Sequence, residues 1–149
     1  MLEFRRGDLF GSGADAYVCT VNTVGIAGKG VALQFKKKMP GWFEAYRIKC
    51  QNETVNPGVV WAWQTGRLQP SVVFNMATKQ DWRFPSKLAW IKAGIDALAS
   101  QTLEQKISIA CPAVGCGCGG LDRNSVLEII RNRFTNHSAT LLAFHFLPN

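Results

Sequence analysis

The residues best suited to chemistry fall in three short stretches, each following an apolar run. The first is Thr20-Val21-Asn22-Thr23-Val24-Gly25-Ile26-Ala27-Gly28-Lys29-Gly30-Val31-Ala32. Asn22 offers a sugar hydroxyl both a donor and an acceptor. Gly25, Gly28 and Gly30 let the backbone come close to a ligand and aim N–H groups at an anion. The second stretch is Cys111-Pro112-Ala113-Val114-Gly115-Cys116-Gly117-Cys118-Gly119-Gly120-Leu121-Asp122. Its four glycines precede a helical pattern, and successive N–H groups at such a place form a nest for a diphosphate. It is neither the usual dinucleotide fingerprint, which would come early and be followed by an acidic residue, nor a P-loop. The third stretch runs from Phe74 to Arg83, with Lys79 just past an expected strand end among Asn75, Thr78 and Trp82. A lysine in a partly desolvated site can donate, stabilise developing negative charge, or attack the anomeric carbon of a sugar. Two glycine loops and a lysine loop, each at a strand end, point to one phosphorylated ligand shared between them.

The elements that must position these loops are legible in the apolar periodicity. Strands are predicted over 2–6, 16–21, 59–63, 72–76, 107–111 and 141–146. Helices are predicted over 31–39 and 42–50, separated by Pro40-Gly41. A third helix is capped by Ser86 and runs to Ala99, with Leu88, Ile91, Ile95 and Leu98 facing the core. A fourth is capped by Asp122 and runs to about Phe134. About six strands alternating with four helices predict an α/β fold, a three-layer α/β/α domain around a central mixed sheet. Ligands on such sheets bind beyond the carboxyl ends of the strands, where all three stretches lie.

At 149 residues the chain fits a single domain, 1–149. With 47% apolar and 18% charged residues it can build a core, which argues against disorder. There is no signal-peptide pattern after Met1 and no run long enough to span a bilayer, so the expectation is a cytoplasmic protein without membrane contact. The five cysteines are odd in number, and Cys19 and Cys111 lie within apolar runs, which favours free thiols over disulfides. Cys116-Gly-Cys118 has the wrong spacing for zinc, and neither His137 nor His145 completes a ligand set. The net charge of +7 is concentrated early, in Lys29, Lys36, Lys37, Lys38, Arg47 and Lys49. That favours a polyanionic partner without identifying it.

Taken together, Gly7-Asp8-Leu9-Phe10, the Thr20–Gly25 and Gly28–Lys36 stretches, Asn75-Met76-Ala77-Thr78-Lys79 with Trp82-Arg83, and Gly115-Cys116-Gly117 leading to Gly119-Gly120-Leu121-Asp122 resemble a macrodomain. The resemblance covers essentially the whole chain, in order. It is closest to the branch that removes ADP-ribose from thymidine bases of DNA. The resemblance implies that Asp8, with Leu9 beside it, receives the adenine and that Asn22 holds the distal ribose. It implies that Gly28, Lys29, Gly30 and Val31, together with Val114, Gly115, Cys116, Gly117, Cys118 and Gly119, cradle the diphosphate. Thr78 and Lys79 would stand at the reacting ribose. Lys79 matches the branch's catalytic lysine, and Asp122 matches an acid assigned a catalytic role in a related lysine-using branch. Asp122 also reads as a plain helix cap. Expected partners are ADP-ribose, ADP-ribosylated single-stranded DNA and a cognate DNA ADP-ribosyltransferase toxin, with no cofactor or metal. The rival readings are a hydrolase of ADP-ribosylated protein or O-acetyl-ADP-ribose, and a non-catalytic reader of ADP-ribose. Met76-Ala77 replaces the Phe-Pro expected before Thr78-Lys79, and Cys118 and Arg123 also depart from the family pattern.

Overall fold

The computed structural model describes residues 1–53 and 55–146. The elements are β1 (Leu2–Arg5), a 3-10 turn (Leu9–Gly11), β2 (Ala16–Asn22), α1 (Gly30–Lys38), α2 (Trp42–Asn52) and β3 (Val60–Gln64). They continue with β4 (Val72–Lys79), α3 (Leu88–Gln101), β5 (Ser108–Cys111), α4 (Arg123–Phe134) and β6 (Thr140–Phe144). Among the described residues the six strands form one sheet in the order β1-β6-β5-β2-β4-β3. Every neighbouring pair is parallel except β3 with β4, so the sheet is mixed.

β2 shows why the domain has three layers. Nearly all of its residues are buried, and successive side chains of a strand point to opposite faces. Ala16 and Val18 pack with Ile91 and Ile95 of α3 and Ile130 and Phe134 of α4. Tyr17, Cys19 and Val21 pack with Phe35 of α1 and Trp42 and Tyr46 of α2. A strand apolar on both sides needs a cover on each. Cys19 and Cys111 are buried free thiols, and burial pushes the Cys111 thiol up to about 12.

The same arrangement opens the crevice. β2 pairs with β5 through Ala16↔Ile109 and Tyr17↔Ala110, early in β2. Beyond that point the chain leaving β2 turns to α1 on one face, and the chain leaving β5 turns to α4 on the other. Where neighbouring parallel strands send their loops to opposite faces, a crevice forms at their carboxyl ends.

Three sequence expectations need correction. β4 continues to Lys79 and does not end at 76, because it stays paired with β2 as far as Asn22↔Lys79. Thr78 and Lys79 are therefore strand residues, as is expected of Asn75, although the polarity of this stretch suggests a loop. Ser86 does not cap α3: its N–H donates to the Gly119 carbonyl (3.0 Å), which holds it outside the helix, and the cap position falls to Lys87. Leu88, expected in the core, is 41% exposed on the first turn of α3.

Candidate active site

A cavity of about 620 Å³ occupies the crevice. This falls within the range of small-molecule sites. Its walls come from the end of β2, the 26–32 segment, Thr78 and Lys79 of β4, Trp82, the 112–119 loop, Arg123 and His145.

Asn22 builds the first wall by organising the loop after β2. Its Oδ1 accepts from the N–H groups of Val24 (3.1 Å), Gly25 (3.1 Å) and Ile26 (3.3 Å), and from the Tyr46 hydroxyl (2.7 Å). Its Nδ2 donates to the Ile26 carbonyl (2.8 Å). The amide oxygen is thus committed to the protein, and one Nδ2 hydrogen is left for a ligand. Tyr46 is stacked between Trp42 and Trp61, with ring centroids 5.3 and 6.3 Å away, and burial pushes its phenol well above the ordinary range. Its hydroxyl therefore remains a donor at any physiological pH. Beyond this turn α1 starts at Gly30, and its opening N–H groups, which have no intrahelical acceptor, face the cavity that Gly30, Val31 and Ala32 line.

The second loop forms the opposite wall. Short bonds close it on itself, Cys116 N–H to Ala113 O (3.0 Å) and Leu121 N–H to Gly115 O (2.9 Å). Among the described residues the N–H groups of Gly117, Cys118 and Gly119 have no protein acceptor. Three consecutive free donors in a glycine-rich turn make an anion nest. Two glycines here are constrained, Gly115 by its left-handed backbone (φ 74°) and Gly119 by packing against backbone. A Cβ on Gly115 would lie 2.9 Å from side-chain carbons of Ile91 and Leu121, and one on Gly119 would collide with Gly115 O and Ser86 Oγ. A Cβ on Gly117 or Gly28 would meet nothing within 4 Å, so those positions face open space. The two loops converge, since a Cβ on Gly30 would be 3.8 Å from Cys118 Sγ.

Lys79 reaches the cavity through an irregularity in the sheet. Pairing of β2 with β4 runs Val21↔Ala77 and then Asn22↔Lys79, so Thr78 is an extra residue, a β-bulge. In a regular strand, neighbours point to opposite faces. The bulge lets Thr78 and Lys79 both line the cavity, a common use of bulges beside active sites. Lys79 Nζ donates to the Trp82 carbonyl (3.3 Å) and keeps further donors for a substrate. Asn75 does not join this group. It is fully buried, and its Oδ1 accepts from Trp42 Nε1 (2.7 Å), fastening α2 to the sheet.

Of the sixteen residues singled out from sequence, eleven line the cavity: Asn22, Gly28, Lys29, Gly30, Val31, Thr78, Lys79, Gly115, Gly117, Cys118 and Gly119. Five do not. Asp122 caps α4, its Oδ2 accepting from Ser125 N–H and Oγ (both 3.0 Å), and its neighbour Arg123 takes the place on the wall. Asp8 caps the 3-10 turn through Phe10 N–H (3.0 Å) and pairs with Lys38 (3.2 Å). The Phe10 N–H and the Lys38 ammonium hold its carboxyl below the usual range. Leu9 and Val114 are buried in the two cores. Cys116 packs against one core, with its thiol turned to the Val114 carbonyl (3.5 Å). The sequence reading missed Arg123 and His145 as wall residues. His145 has a left-handed backbone (φ 66°) and places Nε2 3.0 Å from the Gly7 carbonyl. Only its position one residue after β6, at the carboxyl edge of the sheet, could have suggested it.

The fold and the paired glycine loops define a class, and comparison with known proteins agrees: the Macro domain family model matches residues 18–130. The chain belongs to the macrodomain family. The Thermus aquaticus protein named DNA ADP-ribosyl glycohydrolase is 43% identical over 133 residues, 88% of this chain and 37% of that protein. A Thermosipho africanus protein named DNA ADP-ribosyl transferase-DNA ADP-ribosyl glycohydrolase fusion protein is 27% identical over 138 residues, 81% of this chain and 36% of that protein. The solved macrodomain of Mycobacterium tuberculosis DarG superposes with a TM-score of 0.91 at 38% identity, covering 100% of this chain and 99% of that one. The chain thus spans well under half the length of the curated relatives it matches, and nearly all of the solved domain.

Proposed function

We propose that this chain hydrolyses the N-glycosidic bond between ADP-ribose and a base of single-stranded DNA, thymidine in the first instance. One observation carries the reading: the bulge at Thr78 brings Lys79 onto the wall of a cavity flanked by two anion-binding glycine loops. The names of the relatives at 43% and 27% identity support the substrate class. In this reading the diphosphate lies between the N–H groups of the 28–31 and 117–119 segments, and the distal ribose lies over Thr78 and Lys79. The bond from the anomeric carbon to the base breaks with its electron pair going to the base. Water supplies hydroxide to the carbon and a proton to the base. The transition state is cationic at the ribose and anionic at the departing base. In this reading Lys79 donates to that base. Asp122 serves as the α4 cap, the role its two bonds to Ser125 support.

The chain acts as one macrodomain in the cytoplasm, and the fused Thermosipho relative suggests a DNA ADP-ribosyltransferase as its natural counterpart. The test is side-by-side incubation with ADP-ribosylated single-stranded DNA and ADP-ribosylated protein. Release of ADP-ribose from DNA is expected. Release from protein alone would replace this reading with the protein-directed one, and tight ADP-ribose binding without release from either would make the chain a reader.

A further inference from the structure

The cavity uses only one side of the segment that follows β4. At its start, Thr23 N–H and Oγ1 donate to the Gln80 carbonyl (3.1 and 2.6 Å), and at its end Ser86 N–H donates to the Gly119 carbonyl (3.0 Å). Residues 80–86 therefore bridge the two glycine loops along the cavity rim. Asp81 fixes the shape of the bridge. Its carboxylate accepts from Arg83 N–H (2.9 Å) and takes the guanidinium in a fork (3.0 and 2.9 Å).

What the bridge and the start of α3 show to solvent is unusual for a surface loop. Trp82 is 46% exposed, Phe84 62% and Leu88 41%, close together in the chain. Cations accompany the rings. The Arg83 guanidinium lies 6.0 Å from the Trp82 ring and 5.8 Å from Phe84, and Lys87 Nζ lies 5.2 Å from Trp90. Across 79–90, Lys79, Arg83 and Lys87 face one anion, Asp81. Further along α3, Lys92 is paired with Asp96 (3.1 Å). The lysine run 36–38 sits at the opposite end of α1 from the cavity, and two of its members are engaged with Asp8 and Phe43. Exposed rings with interleaved cations stack bases while they neutralise phosphates.

We infer that residues 82–90 seat the nucleotides flanking the modified base, so that this chain grips single-stranded nucleic acid beside the cavity. The inference rests on the DNA reading of the cavity. Trp82 joins the two, lining the cavity with part of its surface and the rim with the rest.

The test uses the double variant Phe84→Ala/Lys87→Ala, which alters two exposed residues outside the cavity wall. The first probe is an unmodified, fluorescein-labelled oligothymidylate of roughly fifteen nucleotides, read by anisotropy at low salt. Its affinity is expected to fall on the order of tenfold, as for one lost base stack. Phe84→Trp/Lys87→Arg should bind like the parent. Affinity for free ADP-ribose should be unchanged in both variants. With ADP-ribosylated oligonucleotide, KM should rise on the order of tenfold at constant kcat, whereas the ADP-ribosylated nucleoside should be turned over as before. Equal oligothymidylate binding by parent and alanine variant, or none by the parent, overturns the inference even if ADP-ribosylated DNA is hydrolysed. A parent that binds oligothymidylate through these residues but never releases ADP-ribose from DNA upholds the surface and overturns the glycohydrolase reading. A defect confined to ADP-ribosylated protein would assign the surface to a protein partner and overturn the inference.

Discussion

Replacing Asn22 with alanine separates two roles that sequence alone runs together, ligand contact and loop construction. The substitution removes one acceptor that serves four donors. Val24 and Ile26 are exposed, so water can replace Oδ1 at their N–H groups. Tyr46 keeps the Asn22 main-chain carbonyl at 2.9 Å. The Gly25 N–H is buried and loses its acceptor outright, a cost of about 1–3 kcal/mol. The lost Nδ2 bond to Ile26 O adds about 0.5–1.5 kcal/mol. The sum, about 1.5–4.5 kcal/mol, should lower Tm by roughly 5–15 °C for a domain of this size. Differential scanning calorimetry measures that drop, and isothermal titration with ADP-ribose should show binding lost in the same protein. An Asn22→Ala variant that fails to bind but melts like the parent would refute the reasoning, because Asn22 would then act by direct contact with a loop that holds itself.

Lys79→Ala should retain ADP-ribose binding by calorimetry and lose at least ~100-fold in release of ADP-ribose from DNA, the lower range for losing a proton donor. Lys79→Arg reports on the route, since appreciable turnover with a residue that cannot deprotonate favours charge stabilisation over covalent attack. Gly117→Val should abolish ADP-ribose binding by filling the space between the loops, with a stability change within about 0.5 kcal/mol because a Cβ there meets no neighbour. Asp122→Asn keeps the cap on Ser125 N–H and should keep turnover, whereas Asp122→Ala should cost about 1 kcal/mol in chemical denaturation; lost turnover in the asparagine variant would restore Asp122 to the chemistry. The Asp81 carboxyl, held at about 2 by its hydrogen bonds from Arg83, stays ionised well below the ordinary carboxylate range. The Asp81–Arg83 clasp is then whole above about pH 4 and is lost as pH falls through about 2. Carbon-detected NMR titration should show this, with the Asp81 midpoint moving up in Arg83→Ala.

The fold was legible because periodicity and burial agree. β2 reads as an apolar run and α4 announces itself through the Asp122 cap, and the structure buries both faces of the one and the Val126, Leu127, Ile130 face of the other. The glycine loops were legible because few other residues permit such close backbone approach. What escaped was set by tertiary pairing. Nothing local in Asn75-Met76-Ala77-Thr78-Lys79 says that β2 will hold the segment as strand to its end, or that Asn75 will be consumed by Trp42. Ser86 has the chemistry of a cap, but a distant carbonyl, that of Gly119, claims its backbone. His145 and Arg123 carry no motif, and they reach the wall only because β6 ends and α4 begins there.

The bulge at Thr78 makes strand length a stricter constraint than strand composition. Side chains along β4 are assigned to faces by odd and even count. Val73 and Ala77 go to the α1–α2 side with Asn75, and Phe74 and Met76 go to the α3–α4 side. Lys79 meets Asn22 only because the count slips by one after Ala77. Conservative exchanges along the strand leave that arithmetic alone. Removing a single residue between Val72 and Thr78 would invert every earlier assignment or erase the slip, sending Asn75 away from Trp42 or the Lys79 amine away from the cavity. Drift in this family should therefore accumulate as substitutions in β4, while insertions and deletions are confined to the β3–β4 turn.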